Sequence, residues 1–135
     1  MAGRLAGYKK LFDDVRQGRV KPLYFLHGPE EHMKREFVRE LVAVALPDAE
    51  RAFNLDVLHG DEFDPQAFDD RMLTFPLFAA RRVVILRNFD ALSPSNRERV
   101  IQRAGAVPEA MTLVVESNDE RLETAAHKKL AAMAA

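Results

Sequence analysis

Gly28 and Lys34, with the residues between them, are the first place where this sequence could do chemistry. A glycine-led loop running from an apolar strand into a helix can cradle phosphates, and His27 to Arg35 stands at such a junction. Laid on the pattern G-x-x-x-x-G-K-[ST], the run puts Gly28 at the leading glycine, Met33 at the second glycine, Lys34 at the lysine and Arg35 at the hydroxyl position. Met33 sets a bulky side chain where the backbone must approach the phosphates, and Arg35 offers no hydroxyl to Mg²⁺. Glu30 and Glu31 add repulsion. From these residues alone a second reading stays open, with Gly28-Pro29 only a turn and Lys34 a solvated helix residue.

Hydrolysis at such a loop also needs an acid at the end of the third strand to hold the metal. That strand ends Ile85-Leu86-Arg87-Asn88, and the nearest acid, Asp90, lies beyond it. Asp61, Glu62 and Asp64 could offer oxygens to a hard cation, but beside Gly60 and Pro65 they read as an ordinary solvated turn. His27, His32, His59 and His127 lack zinc-site spacing, Ser93 and Ser95 sit in no GxSxG elbow, and there is no cysteine. The expectation is a chain with no catalytic residue, no metal and no cofactor.

The other distinctive run is Arg71-Met-Leu-Thr-Phe-Pro-Leu-Phe78. Pro76 disfavours helix at Phe75 and donates no backbone hydrogen bond, which sets Leu77 and Phe78 at or just past a helix end. Thr74, Phe75, Leu77 and Phe78 then either fill the edge of the core or form an apolar plug for a partner's pocket.

The elements that carry these runs follow from periodicity. Leu5, Tyr8, Phe12 and Val15 mark a helix over residues 4–17, stopped at Gly18. Pro22 to Leu26 is an apolar strand, and Met33, Phe37, Leu41 and Val44 mark the inner face of a helix over 30–45 that ends before Pro47. Phe53 to Leu58 is a second strand, and residues 66–73 form a short helix with Phe68 and Met72 inward. Arg82 to Leu86 is the third strand, Ser93 caps a helix with Pro94 at its first position, and Met111 to Val115 is the fourth strand. Leu122 to Met133 begins another helix. Strands alternating with helices predict a three-layer α/β/α domain with a parallel sheet. The Ala-rich end in mid-pattern points to a longer native chain, cut before a fifth strand.

One domain, residues 1–135, fits this length, and 47% hydrophobic residues suffice for one core. No run has signal-peptide or bilayer-spanning character, so a cytoplasmic protein without membrane contact is expected. Twenty basic residues against 21 acidic ones argue against affinity won chiefly from phosphates, and hence against nucleic acid as a direct partner.

Taken together, PLYFLHGPEEHMKREFVREL, TFPLFAARRVVILRNFD and MTLVVESND resemble the N-terminal, AAA+-like domain of the bacterial DNA polymerase III clamp-loader delta family. The resemblance runs from about Tyr8 onward and is most specific from Leu77 to Leu86. It implies a P-loop NTPase (AAA+/RecA-like) topology with a degenerate nucleotide loop at Gly28, Met33, Lys34 and Arg35. It also implies a clamp-binding element ending in Leu77 and Phe78. Clamp-binding peptides resemble Gln-Leu-Ser-Leu-Phe, against which this chain has Thr74-Phe75-Pro76-Leu77-Phe78, with Thr74 departing from the glutamine. The implied function is to bind and help open the sliding clamp (the beta subunit) without ATP hydrolysis. In the full-length protein delta-prime and gamma or tau are implied partners, and DNA is met only through the assembled loader. Two other readings are an active P-loop NTPase with an unusual loop and a receiver-like domain, which would want an aspartate where Arg87 stands.

Overall fold

The computed structural model describes residues 2–76, 80–118 and 132, and the side chains of these from Gly7 onward except Glu50. The side chain of Leu5, the residues Leu77 and Phe78, and the expected helix over Leu122 to Met133 lie outside what is described. The chain runs α1 (Ala2–Arg16), β1 (Leu23–His27), α2 (Glu31–Ala45), a single turn α3 (Arg51–Asn54), β2 (Leu55–His59), α4 (Pro65–Met72), β3 (Arg82–Arg87), α5 (Pro94–Ala104) and β4 (Met111–Ser117). All pairings are parallel and the strand order is β1-β4-β3-β2, so β3 and β4 are central, as suits their buried apolar runs Val83 to Leu86 and Leu113 to Val115.

Successive side chains of a strand point to opposite faces, and each face of this sheet has its own core. Leu23, Phe25, Val84, Leu86, Leu113 and Val115 meet Phe68, Met72, Val100 and Ile101 from α4 and α5. Tyr24, Leu26, Val83, Ile85 and Val114 meet Tyr8, Val15, Phe37, Val38, Leu41 and Val42 from α1 and α2. The result is the three-layer α/β/α arrangement. No described helix is long and apolar enough to cross a membrane.

Local signals explain the boundaries. Gly18 takes φ +80 and closes α1, the Ser93 hydroxyl accepts from Asn96 N–H at the start of α5, and the Asp64 carboxylate accepts from Gln66 N–H at the start of α4. Two expectations need correction. Val44 is exposed, because the buried stripe of α2 centres between Phe37/Leu41 and Val38/Val42, leaving Met33 and Val44 on its rims. Phe53 is likewise exposed: the strand begins only at Leu55, where pairing with Val83 of β3 begins, and residues 51–54 form a helical turn instead.

Candidate functional site

Two regions carry the residues singled out above. The first is a cleft of about 220 Å³ at the carboxyl ends of the strands, lined by Glu31, Lys34, Arg35, His59, Arg87, Asn88, Glu116 and Asn118. In a parallel sheet with helices on both faces, this end is where ligands are usually met. The sheet order puts the β1–α2 loop directly beside the exit of β4, and Gly28 N–H donates to Ser117 O at 3.1 Å across that seam.

Lys34 is not the solvated helix residue that one reading expected. It is only 1% exposed, and its Nζ donates to Gly28 O (2.9 Å), Ser117 O (3.2 Å) and Asn118 Oδ1 (2.9 Å), with Glu31 Oε1 at 2.9 Å. Met33 packs at the margin of the α1/α2 core, and Arg35 is exposed on the cleft wall.

At the end of β3, Arg87 Nε lies 3.4 Å from Glu116 Oε2, and Asn88 Nδ2 donates to Asp61 Oδ1 at 3.3 Å. Asp90 faces the exit of β4, where its carboxylate accepts from Ser117 Oγ and from Asn118 N–H. Among the described residues, no group of three His, Cys, Asp or Glu side chains converges as a metal site would require.

Sequence reasoning missed Glu116 and Asn118. The available signal was an acid inside the otherwise apolar run of β4, at the register position of Leu26. Burial raises the Glu116 carboxyl above the usual carboxylate range, against the pull of Arg87 and Lys34. Such a group binds more protons folded than unfolded, so its contribution to stability falls as pH rises through its range. Glu116→Gln is therefore expected to be more stable than the parent chain at about pH 8, with the gain vanishing near about pH 4. Urea melts at both values check this, and an equal gain at both would show that ionisation of Glu116 is not the cause.

The second region is the segment after α4. Thr74 Oγ1 donates to Asp70 O at 2.6 Å and Leu73 N–H to Asp69 O at 3.0 Å, so the helix end is finished locally and the Thr74 hydroxyl is engaged there. Leu73 and Phe75 are 62% and 83% exposed. Two ion-pair groups brace the helix behind them. Asp69 meets Arg99 and Arg103 of α5, and Asp56 of β2 meets both Arg71 and Arg82.

A family model described as DNA polymerase III, delta subunit, matches residues 24–135. The chain belongs to this family. It is 31% identical over 94 residues to the DNA polymerase III subunit delta of Bacillus subtilis (strain 168), a match covering 68% of this chain and 26% of that protein. Among solved structures it is similar to the Bacillus subtilis DNA clamp loader delta protein, with a TM-score of 0.83 and 22% identity over 94% of this chain and 40% of that one. A Thermotoga maritima polymerase III gamma subunit-related protein gives a TM-score of 0.68 at 16% identity, over 89% of this chain and 43% of that one. Thermotoga maritima RuvB gives 0.58 at 16% identity, over 93% and 43%. At these identities the structural likenesses establish the fold alone, a three-layer α/β/α domain whose parallel sheet has the strand order β1-β4-β3-β2. This delta-family chain spans about a quarter of the length of the Bacillus subtilis subunit.

Proposed function

We propose that this delta-family domain binds the DNA polymerase III sliding clamp and helps to open it for loading in DNA replication, in the cytoplasm and without hydrolysing ATP itself. The observation that carries the reading is the segment after α4: Leu73 and Phe75 stand in solvent just past a helix braced from both sides, and the sequence continues to Leu77 and Phe78. Adjacent apolar side chains presented on a rigid element suit a pocket in a partner. The names of the Bacillus subtilis relatives support the same role. In this reading delta-prime and gamma or tau are met by the full-length protein, and DNA only through the assembled loader. A pull-down of the chain with its own organism's clamp tests the proposal, and absence of binding would overturn it.

The nucleotide part has its own support. Lys34 is saturated by oxygens of its own chain, Arg35 supplies no hydroxyl, and Arg87 and Asn88 stand where a metal-holding acid is required. Millimolar Mg-ATP is expected to shift the melting temperature by less than about 1 °C, because only a ligand bound to the folded state stabilises it. A rise of several degrees would favour the active P-loop NTPase instead. Met33→Gly with Arg35→Thr is expected to create no ATPase activity, since the strand-end acid would still be missing.

A further inference from the structure

We propose that Lys34 is the built-in ligand of its own loop, its ammonium holding the β1–α2 loop closed on the exit of β4. An ammonium has three protons to donate, and four oxygens lie within 3.2 Å of this one: Gly28 O, Ser117 O, Asn118 Oδ1 and Glu31 Oε1. Gly28 belongs to the loop, while Ser117 and Asn118 belong to a segment more than 80 residues away in sequence. Nζ is therefore a cross-link between two chain segments that also share the bond from Gly28 N–H to Ser117 O and the parallel pairing of β1 with β4. Without these oxygens, burial of the charge would be strongly unfavourable.

In a phosphate-binding loop the lysine is satisfied by a ligand, and the loop can alternate between occupied and empty forms. Here the same position is satisfied from within, so one closed form persists without any ligand. The inference rests on the reading of the cleft as taking no nucleotide and does not involve the tip after α4.

Hydrogen exchange on the whole chain tests it. In Lys34→Met, which keeps most of the stem but not the charge, the Gly28 amide is expected to exchange about tenfold faster relative to the Ile85 amide in β3 than it does in the parent chain. In Lys34→Ala, ethylammonium chloride should slow Gly28 exchange at least about threefold, whereas sodium chloride at equal ionic strength should not, and the parent chain should respond to neither. An unchanged Gly28-to-Ile85 ratio in Lys34→Met, or no response to ethylammonium, would overturn the proposal. Should neither Lys34 variant fold, Asn118→Ala removes one acceptor from an exposed residue. About threefold faster Gly28 exchange is then expected, and parental exchange would overturn the proposal. Protection of the parent chain by Mg-ATP would overturn the nucleotide-free reading and this inference with it, whereas parental loop exchange in the variants would overturn this inference alone.

Discussion

Alanine at both Leu77 and Phe78 is expected to abolish binding to the sliding clamp while leaving the melting temperature of the chain nearly unchanged. Burying each side chain in a partner pocket contributes roughly 1.5–3 kcal/mol before the cost of association. Loss of both removes about 3–6 kcal/mol, a hundredfold or more in affinity. Their described neighbours Leu73 and Phe75 are in solvent, so the run enters and leaves Thr74 on the outside of the fold. If Leu77 and Phe78 instead filled the core edge, truncation would cost about 2–5 kcal/mol of folding stability for each. Calorimetric titration against the clamp and thermal melting of the same variant separate the two cases. A destabilised variant that still bound the clamp would sink the assignment of these residues.

Gly60→Ala is expected to destabilise the fold strongly. A Cβ at Gly60 would collide with Asn88 O and stand 2.8 Å from Asn88 C, and backbone cannot swing aside as a side-chain tip can. Asn88 itself is held left-handed, at φ 59, among described residues the single non-glycine with a positive φ. The exits of β2 and β3 are thus pressed together at the mouth of the cleft. Separating them should cost about 3 kcal/mol, roughly 10 °C in melting temperature for a chain of this size. Gly7→Ala, inside α1 where a Cβ meets nothing within 4 Å, is the control and should melt no lower than the parent and up to about 3 °C higher, because alanine favours helix. Equal melting of Gly60→Ala and the parent would show that the two exits can move apart freely.

Much of the fold is legible in the sequence because the strands are short apolar runs and the helices carry clean start and stop residues. Ser93 and Pro94 open α5, and Gly18 closes α1, where the sequence places them. The strand expected over Phe53 to Leu58 starts later, because an edge strand begins where a partner begins, and Val83 is nearly 30 residues away. The cleft is legible in part. Gly28, Lys34, Arg35, Arg87 and Asn88 do gather there, with Met33 turned to the core margin. The burial of Lys34 is not legible, since a lysine on an amphipathic helix reads as solvated until Ser117 and Asn118 are brought to it by the pairing of β1 with β4. Nor does the sequence show that Thr74 spends its hydroxyl on Asp70 O, a short-range bond that competes with any contact to a partner.

The double grip of Asp56 on Arg71 and Arg82 has a mechanical consequence. A load applied beyond Thr74 enters the body by two routes: sideways into α5 through Asp69, and through Arg71 and Asp56 into Arg82 at the foot of β3. Arg82 also holds Phe53 O, so the second route ends in a strand flanked on both sides by β2 and β4. Pulling on the tip therefore strains the middle of the sheet and not a peripheral helix alone. The helix end before Thr74 is thus tied to the body of the domain at two separate points, one on α5 and one on the sheet.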